Sequence, residues 1–236
     1  MKVDRVAELK KLVHAQVKDA PADKPVFFKT GPGDYAEHDQ FIGVSVPNIR
    51  KIAKQYRSLS RTELNTLISS PINEERLLAL FILVDQYQRE SVPIKSELYQ
   101  FYLDNIKQVN NWNLVDASAY LIMGAHLVHA DKTILINLAH SDALWERRIA
   151  IVSTWYFIRQ NDLQWTMSIA KILLHDKHDL IHKAVGWMLR EAGKKDLLLL
   201  VAFLNEYAHQ MPRTMLRYAI EKFTPEERKV FLMQKS

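Results

Sequence analysis

Along most of the chain, apolar residues recur at spacings of three and four, and nowhere do they alternate with polar ones over the length of a strand. Breakers and polar clusters bound each periodic stretch. The pattern predicts helices over 2–18, 47–57, 61–69, 73–88, 94–105, 112–125, 131–139, 144–159, 161–174, 178–192, 195–209, 212–222 and 225–233. The stretch from Phe27 to Gly43 is irregular: Gly31-Pro32-Gly33 must turn and no period follows, so a loop or a pair of short turns is expected.

The helices repeat. Arg76-Leu77-Leu78-Ala79, Arg148-Ile149-Ala150-Ile151, Lys183-Ala184-Val185-Gly186 and Arg217-Tyr218-Ala219-Ile220 each pair a cation with small and apolar residues, at intervals of 72, 35 and 34. Midway through the long interval, at residue 112, Asn111-Trp112-Asn113-Leu114-Val115 opens another helix. Two helices per period of about 35 residues point to an all-α solenoid. The Trp, Leu-Gly and Tyr pattern of tetratricopeptides is absent, so a single HEAT-like repeat domain over 1–236 is expected. The segment from Trp145 to Ile158, apolar nearly all round, needs neighbours on both sides, and stacked repeats supply them. In such a stack the recurring cations either form a ladder down one edge or merely occupy exposed first turns.

Composition narrows the classes. The chain of 236 residues is 48% hydrophobic and 25% charged, an ordinary globular balance, and its 6 glycines and 8 prolines are too few for a β-sandwich or barrel. No cysteine is present, which excludes disulfides, thiolate metal ligands and a cysteine nucleophile, and suits a cytoplasmic protein. Met1 to Lys18 mixes charges with apolar residues, unlike a signal peptide. The longest apolar runs, Leu77 to Val84 and Leu197 to Leu204, fall well short of the roughly 20 residues that span a bilayer. The net charge of +5 lies mostly in residues 141–236, where 15 Lys and Arg face 11 Asp and Glu. That surplus attracts polyanions without identifying one.

Three positions carry candidate chemistry. On the helix 178–192, Ile181, Ala184, Val185 and Met188 form one apolar stripe, while Trp187 lies about 120° away beside Lys183 and Arg190. Such a Trp either faces a phosphate-lined groove or packs under the adjoining repeat. Trp112 and Asp116 stand one turn apart on a common side. Asp116 is flanked by Leu114, Val115, Ala117 and Ala119, and burial there disfavours its charged form unless a cation such as Arg148, one repeat on, holds it ionised. An Asp held that way is either functional or a structural tie between repeats.

These segments resemble a known family. Asn111-Trp112-Asn113-Leu114-Val115-Asp116, Trp145-Glu146-Arg147-Arg148-Ile149-Ala150, His182-Lys183-Ala184-Val185-Gly186-Trp187-Met188-Leu189-Arg190-Glu191 and Phe41-Ile42-Gly43-Val44-Ser45-Val46-Pro47 are similar to motifs of the bacterial DNA alkylation repair glycosylases of the AlkD type, over nearly the whole chain. The resemblance implies a HEAT-like fold and a monofunctional glycosylase that excises cationic N3- and N7-alkylpurines from double-stranded DNA. It implies Asp116 as the catalytic aspartate, Trp112 and Trp187 as the tryptophans embracing the lesion nucleotide, and Arg148 as a DNA-backbone contact. Lys183, Arg190, Arg76 and Arg217 are further expected DNA contacts, from the recurring cations and the surroundings of Trp187. A monomer without cofactor, metal or membrane association is expected, cytoplasmic and at the nucleoid when bound to DNA. Where the family can present a tyrosine to the lesion, the nearest counterparts here are Phe27 and Phe28, so a hydroxyl contact from that position is lost.

Other chemistry has less support. His175, His178 and His182 share a helical side, but no further ligand or activating Glu is placed as in zinc hydrolases, and His126 and His129 fare no better. Gly31-Pro32-Gly33 lacks the Lys-Ser/Thr ending of a phosphate-binding loop. The resemblance supplies no Schiff-base lysine, so lyase activity is not expected. The rival reading is a non-catalytic HEAT-repeat DNA-binding or scaffold protein, since a fold alone assigns no chemistry.

Overall fold

The computed structural model describes residues 4–19 and 28–233. Phe27, one of the two residues expected to replace a tyrosine, lies outside them. Two compact units meet in sequence at Ser118 and Ala119. Both are all-α, and together they form an all-α helical-repeat fold; among the described residues the only β feature is an isolated bridge between Gln40 and Ile72.

The first unit contains α1 (Arg5–Ala15), α2 (Val46–Gln55), α3 (Arg61–Ile68), α4 (Asn73–Arg89), α5 (Val92–Asp104) and α6 (Trp112–Ala119), whose last residue opens the second unit. Helix starts follow local chemistry. The Asp4 carboxylate accepts from the N–H groups of Val6 and Ala7, Ser60 and Glu63 cap each other reciprocally, and Pro sits in the first turns of α2 and α5. Helix α4 is central, packed by α1, α2, α3 and α5 and buried along Leu77 to Val84. The expected loop before α2 is described from Phe28 onward. Gly33 and Gly43 take φ of 79° and 84°, the left-handed region that favours glycine. The loop is pinned to the start of α4: Asn73 N–H donates to Gln40 O at 2.8 Å, and the buried Glu74 carboxylate accepts from Gly43 N–H at 2.8 Å and Ile42 N–H at 3.1 Å.

In the second unit the chain continues from α6 through a π-helical turn, Tyr120–Gly124, into α7 (Ala125–Leu127). Then follow α8 (Thr133–Ala139), α9 (Leu144–Arg159), α10 (Gln164–Ile172), α11 (Asp179–Gly193), α12 (Leu197–Tyr207), α13 (Arg213–Ala219) and α14 (Pro225–Met233). Successive helices pair as α8 with α9 and α10 with α11, while α9 packs on α11 and α11 on α13. Helix α9, between the π turn, α8, α10 and α11, has the neighbours on both sides that its apolar sequence required. Among the described residues no helix is long and apolar enough to cross a membrane.

The repeat register is visible in the helix starts. Helices α9, α11 and α13 begin at Leu144, Asp179 and Arg213, and Arg148, Lys183 and Arg217 are each the fifth residue. Asp116 is the fifth residue of α6, so an acid stands at the register position that cations occupy in the later repeats.

Candidate functional site

In the first unit the candidate chemistry is mounted on the start of α6. Asn111, fully buried, caps it: its Oδ1 accepts from Trp112 N–H at 2.8 Å, and its Nδ2 donates to Asp39 Oδ2 at 2.6 Å. Asp39 also accepts from Asn73 Nδ2 at 3.1 Å and pairs with the Arg76 guanidinium. Asn73 Oδ1 in turn accepts from Asn113 Nδ2 at 2.7 Å. This buried network joins the loop, α4 and the first turn of α6, so Trp112 and Asp116 project from a fixed backbone. Both are half-buried, one turn apart, as the spacing predicts.

Trp112 is held as well as mounted. Its ring stacks on Phe28, with centroids 5.1 Å apart and planes 19° apart, and Phe28 stacks on Phe41 at 4.2 Å. Its Nε1–H donates to the Tyr35 hydroxyl at 3.3 Å. Phe28 thus meets Trp112 through a ring face alone, and the hydroxyl beside this indole comes from Tyr35. Sequence reading passed over Tyr35 because it lies in the aperiodic loop.

In the second unit, the buried stripe of α11 is the expected one: Ile181, Ala184, Val185 and Met188 are at most 1% exposed, and Trp187, outside it, is half-buried. Trp187 meets Trp155 of α9 edge-on at 5.0 Å, and Trp155 meets Tyr120 of the π turn at 4.4 Å. Trp155 and Tyr120 were not singled out from the sequence, because the uniformly apolar α9 made Trp155 look like core; it is half-buried.

The expected cations separate into two kinds. Lys183 and Arg217 are the more exposed: the Lys183 side chain is 41% exposed and pairs with Asp179 at 2.7 Å, and Arg217 faces solvent. The Lys183 ammonium is the main cause holding the Asp179 carboxyl below its usual range. Arg190, half-buried, pairs with Glu221 and with Glu191. Arg76 and Arg148 are buried. Arg76, 4% exposed, binds Asp39 and donates to Ser70 O at 2.8 Å, and Arg148 donates to Leu180 O at 2.5 Å. Arg76 and Arg148, both expected as DNA contacts, thus have guanidinium groups buried on protein acceptors, the arrangement of a structural tie.

The histidines before Trp187 shape a helix start. His178 Nδ1 accepts from Leu180 N–H at 3.1 Å, and His182 Nε2 lies 2.5 Å from Asp176 O. Burial pushes His178 below the usual histidine range, against the pull of Asp176. Among the described residues, no group of three or more His, Asp or Glu is arranged to hold a metal ion.

Against this geometry the comparisons decide the family. The family model described as "DNA alkylation repair enzyme" matches residues 9–223. The chain belongs to that family. The DNA alkylation repair enzyme fold is also seen in a solved structure, "Predicted DNA alkylation repair enzyme from Enterococcus faecalis", which is 16% identical and superposes with a TM-score of 0.63 over 81% of this chain and 92% of the other. No curated protein matches the sequence.

Proposed function

We propose that this DNA alkylation repair enzyme is a monofunctional DNA glycosylase that releases N3- and N7-alkylated purines from duplex DNA. The observation that carries the reading is Asp116: a half-buried carboxylate one turn from a half-buried Trp112, on a helix whose first turn is anchored by buried side chains. Alkylation at N3 or N7 makes the purine cationic, so it departs as a neutral base and needs no general acid. Positive charge develops instead on the deoxyribose, and a preorganised anion in a partly desolvated setting stabilises it. Asp116 takes that role and orients the attacking water. The electron-rich faces of Trp112 and Trp187 favour a cationic sugar by about 0.5–2 kcal/mol each.

In this reading the base is not engulfed, and selectivity comes from the lability of charged lesions, so neutral adducts are poor substrates. Lys183 and Arg217, the exposed members of the register, contact DNA phosphates. The test is Asp116→Asn. It is expected to bind duplex DNA as the parent does and to release 7-methylguanine from methylated duplex slower by a factor on the order of 10² to 10³. Unchanged release removes Asp116 from the mechanism, and salt-sensitive binding without release by the parent favours a non-catalytic binding protein.

A further inference from the structure

The network that mounts α6 borders a cavity of about 310 Å³ inside the first unit, lined by His38, Arg76, Lys107 and Asn110 among others. Two buried polar atoms of these residues, Arg76 Nε and Asn110 Oδ1, have no hydrogen-bond partner among the described residues. Arg76 is fixed by its other nitrogens, Nη1 on Ser70 O and Nη2 on Asp39, so its Nε–H remains as an unused donor. Leaving such a donor buried and unsatisfied is unfavourable, and a ligand oxygen would relieve it.

Charge points the same way. Asp39 neutralises Arg76 and lies 3.9 Å from His38 Nε2, and Lys107, an exposed residue of the lining, adds a cation. Asn110 supplies a second donor through a simple rearrangement. Its Nδ2 now lies 2.9 Å from His38 Nε2. Rotating the amide by a half-turn lets Oδ1 accept from an Nε2–H imidazole and turns the NH2 to where the unpartnered oxygen was.

We propose that this cavity is a phosphoryl-binding site, in which Arg76 Nε–H, the Asn110 amide and the Lys107 ammonium hold the oxygens of one phosphate group. The group comes from a DNA backbone or from a free phosphate, and the chemistry of recognition is the same for both. The site stands apart from the glycosylase reading, because it involves neither Asp116 nor base release.

The experiment titrates inorganic phosphate into the full chain against sodium chloride at equal ionic strength and follows the backbone amide of Gln108, in the cavity lining, by nuclear magnetic resonance. A shift of that signal with phosphate alone is expected, with affinity weakened about tenfold or more in Lys107→Gln and Asn110→Asp, as loss of a charge-assisted hydrogen bond implies. A second arm measures duplex DNA affinity against salt. If the phosphate belongs to DNA, the slope of log K against log salt falls by about 0.9 in Lys107→Gln and inorganic phosphate competes with duplex. An unchanged slope with phosphate binding lost assigns the site to free phosphate. Equal responses to phosphate and chloride, or equal phosphate affinity in parent and variants, overturn the proposal whatever the outcome for 7-methylguanine release.

Discussion

Gly186 of α11 lies so close to Tyr218 of α13 that a β-carbon added to it would stand 2.5 Å from the tyrosine Cβ and 2.4 Å from the Met215 carbonyl oxygen. Gly124 of the π turn repeats the relationship with Ser153 O at 2.3 Å and Tyr156 Cβ at 2.8 Å on α9. In both cases glycine is followed by its carbonyl neighbour 29 residues later and its tyrosine 32 residues later. These contacts are with backbone and Cβ atoms, which cannot swing aside. Gly186→Ala is therefore expected to destabilise by about 1–3 kcal/mol through overpacking, although alanine is the better helix former by about 1 kcal/mol. At about 2–4 °C per kcal/mol for a chain of this size, the loss is readable in a thermal melt. Gly193→Ala, which meets the movable Leu200 side chain first, is the milder control.

Asp39 is expected to be the most sensitive polar residue of the first unit. Asp39→Asn removes the charge that pairs with buried Arg76, and breaking a buried pair from one side costs about 3–5 kcal/mol. Urea titration checks the loss. A midpoint within error of the parent would show that the network does not hold α6.

Tyr35→Phe removes only the hydroxyl that accepts from the Trp112 indole. A stability loss of about 0.5–1.5 kcal/mol is expected, the usual net value of one hydrogen bond, together with a change in tryptophan emission that is absent when the same substitution is made in a Trp112→Phe background. If the emission change persists in that background, Tyr35 acts on another indole.

His178 gives α11 an acid sensitivity. Its folded value lies below the unfolded value of about 6.5, so its neutral form is favoured in the native state and the stabilisation is fully present above that pH. As pH falls through about 6.5 towards the lower folded value, protons bind the unfolded chain first and the stabilisation is lost. His178→Asn keeps a side-chain acceptor for the Leu180 N–H but does not titrate, so its urea midpoint should fall less between pH 7.5 and 5.5 than the parent's. Parallel pH profiles would rule out this role.

The helices were legible in the sequence because their signals are local. Helix α9 runs over 144–159 as its apolar run indicates, and α14 over 225–233, whereas the expected 112–125 helix resolves into α6, a π turn and α7, a change of winding that periodicity at 3.6 residues does not register. Trp112 and Asp116 share a turn as read, and Trp187 leaves its core stripe as read. The buried fate of Arg76 was not legible, because its partner Asp39 is 37 residues away in an aperiodic loop and the cation was judged by its repeat position alone. Trp155 was hidden for the opposite reason: in a helix apolar on every side, no face distinguishes a half-buried ring from core.

The hydrogen bond between Asp39 and Asn111 closes a stretch of 72 residues. A nascent chain that has emerged only as far as α5 already contains Asp39, Asn73 and Arg76, yet has no amide to complete the set. The mount for Trp112 is therefore finished only after α5 has emerged, and it depends on a loop made 72 residues earlier; a chain cut between the two would keep Asp39 on Arg76 and Asn73 but would lack the amide that carries the tie on to Trp112.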